Sequence, residues 1–240
     1  MSLARRPTAR RPTARLAQLL GGLVLYGVSM ALMVRARLGL DPWDVLHQGL
    51  APHLGWSFGA VTALVGVIVL LFWIPLRQRP GVGTVANVVV IACAVDLALA
   101  VIPPITGLGW RIALLVTGVL LNGVATACYV GARLGPGPRD GLMTGLHARR
   151  GWSVRWVRTG IELTVLTAGW LLGGTVGVGT VLYAVAIGPL TQLFLPWVVY
   201  REPAGETLWP AGCRIGHRGS DLTMEPRSDP AAAAKGGVGP

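Results

Sequence analysis

The sequence predicts an all-α, polytopic membrane protein. Six transmembrane helices are expected, arranged as two inverted three-helix repeats, each with a short motif helix after its first span. Three observations carry that expectation. The chain is 52% hydrophobic and only 13% charged, where a soluble domain has roughly 25% charged residues. The stretch Ala36–Ser57 recurs without a gap 96 positions later, at Ala132–Ser153. Arginine, finally, collects mainly in the loops of one side.

The duplication sets the architecture. Twelve of the 22 aligned positions are identical: Ala36, Arg37, Leu38, Gly39, Pro42, Asp44, Leu46, Gly49, Leu50, Gly55, Trp56 and Ser57. Gly81-Val82-Gly83-Thr84-Val85 likewise returns as Gly177-Val178-Gly179-Thr180-Val181 at the same offset. Repeat 1 is read as residues 16–105 and repeat 2 as 106–200. They lie between a basic, disordered arm (1–15) and a disordered, cytoplasmic tail (201–240) rich in Pro, Gly, Ala and charge.

The six apolar runs are Leu16–Val34, Phe58–Leu76, Thr84–Ile105, Ile112–Ala132, Val154–Leu172 and Thr180–Tyr200. Each matches the ~20 residues needed to cross a ~30 Å hydrocarbon core. The first is long enough to span and has no A-x-A site after it, so it reads as a retained span and not as a cleaved signal. With six spans and the N-terminus inside, 18 of the 21 Lys and Arg residues fall inside, and only Arg35, Arg37 and Arg111 outside. The positive-inside rule then places both termini in the cytoplasm, in a multi-pass protein of the cell (plasma) membrane. Equivalent loops also differ in charge. Trp43, His53, Leu54, Gly59 and Thr62 align with Arg139, Arg149, Arg150, Arg155 and Arg158, whereas Arg77 and Arg79 align with Gly173 and Thr175. Three spans per unit would invert the second copy, and arginine follows the cytoplasmic side.

A net charge of +11 would point to nucleic acid in a soluble protein. Here the basic residues flank apolar runs, so the expected partner is the lipid bilayer and no nucleic acid. The cysteines show neither CxxC nor Cys/His spacing, so neither a disulfide framework nor a zinc site is expected. No HExxH, G-x-S-x-G or nucleotide motif is found, so no enzyme activity and no cofactor are expected.

The paired motifs G-L-D-P-W-D and G-P-R-D-G-L-M, each followed by G-x-G-T, resemble the YitT/YczE family of bacterial integral membrane proteins. The resemblance covers Leu16–Tyr200. It rests on Gly39, Asp41, Pro42, Trp43 and Asp44, on Gly135, Gly137, Pro138, Arg139, Asp140 and Gly141, and on Gly83-Thr84 and Gly188-Pro189. It implies a membrane location and assigns no catalytic residue.

Within the motif, Pro42 and Pro138 suit a first helical turn. Asp41 caps the first copy, and Gly137 replaces it in the second. Asp44 and Asp140 fall in the first turn, where the helix dipole favours a carboxylate. They could serve only the helix ends, or line a path together with Arg139, as broken helices do in inverted-repeat transporters. Asp44, His47 and His53 could in principle hold a metal. Their counterparts Asp140, Met143 and Arg149 do not repeat the set, so solvent-facing histidines and no metal are expected.

Inside the spans, Asp96 sits about 18 Å from Thr84 along its helix, at ~1.5 Å per residue, near the expected midplane. Its repeat mate is Gln192, and Asn122 and Tyr26 form a second matched pair. These residues either glue the bundle or line a pathway, with Asp96 as the leading site residue. Glu162, four residues after Arg158, reads as a local ion pair. Gly188-Pro189 should kink or break the last span. Two functions remain open: a small secondary transporter or permease for an unknown small solute or ion, or an accessory membrane protein acting through partner binding. Six spans are few for a carrier acting alone, so a homodimer is one expected assembly.

Overall fold

The computed structural model describes residues 12–200 together with the strand segments 213–218 and 221–226. Among the described residues nine helices follow one another: α1 (Pro12–Ala36), α2 (Pro42–Leu54), α3 (Phe58–Leu71), α4 (Trp73–Leu76), α5 (Val82–Val101), α6 (Leu108–Gly131), α7 (Pro138–Arg150), α8 (Val154–Leu171) and α9 (Val178–Val198). Both motif helices, α2 and α7, are present, each entered through proline and each ended by a left-handed glycine, Gly55 and Gly151.

Among the described residues, five helical segments are long and apolar enough to cross a membrane: α1, α3 with α4, α5, α6 and α9. The expected sixth span, α8, misses that standard. Arg155, Arg158 and Glu162 sit within its 18 residues, and charge in a span is costly. Broad apolar faces remain exposed on the helices, including Leu97, Val101, Trp110, Val185 and Trp197. They fit a lipid environment, where apolar surface needs no protein cover.

Helices α1 and α6 form the central pair and run antiparallel. Arg15 donates from Nε to Ala132 O at 3.0 Å and from Nη2 to Arg133 O at 2.8 Å. Arg111 does the same at the other end, to Ala36 O and Arg37 O, both at 2.7 Å. Each arginine thus satisfies carbonyls that the partner's helix end leaves without an intrahelical donor. All the partners are 96 positions apart, exchanged. Arg15 is therefore part of α1 and buried, which corrects its assignment to a disordered arm. The carbonyls of α6 give its guanidinium a better site than solvent. Residues 1–11 of that arm lie outside the described residues.

The exchange extends through the fold. Gly83 N donates to Leu134 O at 2.9 Å, and Gly179 N to Leu38 O at 2.8 Å. These bonds dock the start of α5 on the loop before α7, and the start of α9 on the loop before α2. The Trp73 ring, buried at the start of α4, lies over Gly141 of α7, where an added Cβ would come within 2.0 Å of it. Its indole N–H donates to Pro138 O at 3.0 Å. Position 169, the repeat mate of 73, is a glycine pressed against the backbone of Val45 and Leu46 in α2; a Cβ there would lie 2.4 Å from Leu46 N. One contact is made by a tryptophan on a glycine, and its counterpart by a helix backbone on a glycine.

Two local expectations change. Helix α9 runs through Pro189 without a break, so of the expected kink or break the break is absent; one missing N–H leaves the neighbouring bonds in place. The tail expected to lack structure carries an antiparallel hairpin, β1 (Cys213–Arg218) with β2 (Asp221–Pro226), in the register Ile215 to Met224. The Gly-Ser pair in the intervening sequence is a two-residue hairpin signal. The rest of the tail lies outside the described residues.

Candidate functional site

The two motif helices begin close to one another, and their first turns build one charged centre. Asp41 is the N-cap of α2, and its Oδ1 accepts from Asp44 N at 2.6 Å. Its Oδ2 accepts from Arg139 Nη1 at 3.2 Å. Arg139 occupies the second position of α7, and its guanidinium lies 4.8 Å from the centroid of the Trp43 ring. Trp43 and Arg139 are repeat mates. The duplicated motif therefore meets itself at the one place where its copies differ most in chemistry, an aromatic against a cation.

Asp44 stands behind this pair. Its Oδ1 lies 3.2 Å from His47 Nδ1 and 3.9 Å from Arg139 Nη2. Thr62 Oγ1 donates to Phe58 O and lies 3.3 Å from His47 Nδ1. With the Thr62 proton on that carbonyl, His47 Nδ1 is shared between Asp44 Oδ1 and Thr62 Oγ1. Asp44 Oδ2 is buried with no hydrogen-bond partner. The Asp44 side chain has no accessible surface, and Asp41 keeps 3% of its own, but Arg139 retains 25%. The guanidinium is thus the accessible face of an otherwise sealed cluster.

These groups sit on α2 and α7, outside the membrane-spanning segments, and burial dominates their protonation. Burial pushes Asp44 up to about 7 against the pull of Arg139. Asp41 is raised as well, by burial and then by Asp44, with Arg139 opposing. His47 falls to about 3, through burial first and the nearby guanidinium second, so it is neutral. Arg139 is raised: burial acts to lower it, but Asp41 and its other neighbours outweigh burial.

A second polar layer adjoins the first. Tyr26 on α1 is near enough to feel Arg139, Asp41 and Asp44, and its side chain also meets Tyr183. Tyr183 donates to Asn122 Oδ1 at 3.0 Å, and Asn122 Nδ2 donates to Ser29 Oγ at 2.8 Å. Asp140, the mate of Asp44, accepts from Tyr129 OH at 3.0 Å, and burial raises it. The Tyr129 ring stands edge-on to Tyr26 at 6.1 Å. Of the expected site residues, Tyr26, Asn122, Asp44, Asp140 and Arg139 are thus drawn into one region.

Asp96 and Gln192 are not. Asp96 accepts from Ser57 Oγ at 2.6 Å and Gly59 N at 2.7 Å, closing the N-terminus of α3. Gln192 is exposed on α9 and outside the network. Depth counted along α5 took no account of the helix end that Asp96 would meet, and it serves that end. An added Cβ on Gly59 would come within 2.6 Å of the Asp96 carboxyl, so the approach requires glycine. The matching position in the second half is Arg155, which explains why no such cap recurs there.

His47 is a further correction: it is 1% exposed and belongs to the centre, not to the solvent. His53 is exposed and bonds Gly49 O at 2.9 Å, so it takes no part. Among the described residues, no group of three or more His, Cys, Asp or Glu is placed to hold a metal ion. The local expectations for Asp41 as a cap and for the Arg158–Glu162 pair, at 2.8 Å, hold. Trp43, Tyr129 and Tyr183 were not expected at the site. The 96-residue offset was the signal for Trp43, because it is the mate of Arg139.

Residues 13–196 match the model of a protein family described as a family of unknown function, DUF6198. The chain belongs to this family. An uncharacterised protein of Haemophilus influenzae is 42% identical over 177 residues, covering 74% of this chain and 81% of that one. The uncharacterised membrane protein YczE of Bacillus subtilis is 36% identical over 178 residues, 73% of this chain and 82% of its own. The uncharacterised protein YyaS of the same organism is 25% identical over 181 residues. No solved structure matches the chain. This DUF6198 protein is a multi-pass membrane protein of a YczE-like family, consistent with its apolar helices.

Proposed function

We propose that this DUF6198 protein is a small secondary transporter or permease for a small solute or ion. Its site lies where the first turns of α2 and α7 meet, centred on Asp41, Asp44 and Arg139. One observation carries the reading: a sealed acidic pair is held against a guanidinium that keeps 25% of its side-chain surface accessible. Charges buried this way in an apolar protein are costly and mark pathways.

The architecture that goes with this reading has six spans, α8 being the sixth. Its Arg158 and Glu162 neutralise one another at 2.8 Å, which lowers the cost of insertion. The two halves are inverted about an axis in the membrane plane that passes between Trp43 and Arg139. Support comes from the antiparallel α1–α6 pair and from the exchanged bonds of Arg15 with Arg111 and Gly83 with Gly179. Both termini are cytoplasmic, at the plasma membrane, and two copies form the working unit.

Purified full-length protein in liposomes, screened for ion and solute flux, tests the function. Flux that is lost in Arg139→Gln is expected; uniformly silent vesicles with folded protein would favour an accessory role. Labelling tests the inversion. In a background without native cysteines, His53→Cys and Arg149→Cys are repeat mates and both exposed. Reaction from opposite sides is expected, and same-side reaction would refute it.

A further inference from the structure

The charge count at the centre is unbalanced. One guanidinium faces two carboxylates, and His47 is neutral. Asp41 is fully engaged, with one oxygen on the Asp44 amide and the other on Arg139. Asp44 has one oxygen on His47 and the other buried beside the Asp41 carboxyl, with no hydrogen-bond donor among the described residues. An ionised oxygen sealed without a donor costs far more than a neutral acid group in the same place. The groups that face Asp44 are Asp41 and His47 on its own helix, Arg139 from α7 and Tyr26 from α1. Tyr183 of α9 acts on Asp41, and Thr62 of α3 reaches the cluster through His47. From α8, which packs along α2, Arg158 is paired with Glu162 and acts on Asp140 and Tyr183.

We propose that Asp44 is the proton-binding residue of this protein, taking and releasing one proton at Oδ2 while Asp41 keeps its hydrogen bond from Arg139. An O–H bond forms on Oδ2 with a proton from water, and the cluster of Asp41, Asp44 and Arg139 loses one negative charge. On release, the guanidinium has a second carboxylate 3.9 Å away. It can then be drawn from Trp43 toward Asp44, so that proton state and the accessible face of the site change together. This rests on the transport reading for its use, in coupling solute movement to protons; the proton site itself does not.

The test is pH-difference infrared spectroscopy of the purified full-length protein with isotope-labelled aspartate carboxyls. A carboxylic acid C=O band that shifts with the aspartate label is expected to be lost as pH rises through about 7. It should vanish in Asp44→Asn and persist in Asp96→Asn and Asp140→Asn. Should Asp44→Asn fail to fold, Asp44→Glu gives the answer, because the band should then escape the aspartate label. A label-shifted band in Asp44→Glu, or in folded Asp44→Asn, would overturn the assignment. So would the absence of any titrating acid band in the wild type. Removal of the band by sodium or potassium chloride at fixed pH would also overturn it, making the oxygen a cation ligand. Flux-silent liposomes with an intact titration would retire transport and leave the proton site standing; flux without the titration would do the reverse.

Discussion

Helices α2 and α7 descend from one motif and have come to do opposite work. Both start on proline, both carry an aspartate at the third position, and both end on a left-handed glycine followed by Trp-Ser. The shared residues serve this common geometry. The chemistry lies at the positions that diverged: Asp41 against Gly137, Trp43 against Arg139, and His47 against Met143. Because the motif helices meet first turn to first turn, one copy supplies two acids, a histidine and an aromatic platform, and the other supplies the cation. Duplication provided a self-complementary scaffold, and divergence at the contact turned it into an asymmetric site.

The largest effect should come from removing the cation. Arg139→Ala leaves Asp41 and Asp44 buried without their counter-charge, a change that typically costs ~3–5 kcal/mol. Its thermal melting in detergent should fall far below wild type, and Asp41→Asn in the same chain should recover part of the loss. Next come the two glycine seats. Gly169→Ala meets the α2 backbone and Gly141→Ala meets the Trp73 ring, and overpacking of this kind costs ~1–3 kcal/mol. The first should be worse, since a backbone cannot rotate aside. Equal melting temperatures for the two would show that the seats are not constrained as described.

Protonation separates the halves more finely. Asp44 is raised to about 7, so the stability tied to its neutral form is complete below its ordinary value of ~4 and is lost as pH rises through 7. His47 is lowered to about 3. Its burial therefore costs stability as pH falls below its ordinary ~6.5 toward 3. The two oppose one another between ~4 and ~6.5. Above that range His47 adds nothing further, and the melting temperature should decline from pH 6.5 to 8 as Asp44 ionises. Asp44→Asn should flatten the decline. An undiminished slope in that variant would assign it elsewhere. The smallest effect belongs to the other carboxylate. Asp96→Asn should leave the α3 end nearly intact, whereas Asp96→Leu should cost ~0.5–2 kcal/mol, as a lost helix cap does.

The sequence made much of this legible. The 96-residue offset, the motif helices and the capping Asp41 followed from pattern, and so did the choice of five polar residues that the fold brings into one region. Two physical facts escaped it. Periodicity gives depth along a single helix but not the neighbour at that depth, so Asp96 was matched to Gln192 and not to the amide of Gly59. Composition marks charge near an apolar run as peripheral, so Arg15 was placed in an arm and His47 in solvent. The Arg15–Arg111 pairing was in fact present at the same offset, and it specifies which helix ends meet. Helix α8 shows the converse limit: its length fits a span, but three charged residues keep its composition from deciding the matter.

The account turns on Asp41 and Arg139 forming one electrostatic centre across the two copies of the motif. A double-mutant cycle in melting stability, with Asp41→Asn, Arg139→Gln and the pair, measures that coupling directly. Residues joined in a buried network couple by ~0.5–3 kcal/mol, and a value in the upper half of that range is expected here. Additivity within ~0.3 kcal/mol would contradict the account, because the two halves would then meet without sharing a site.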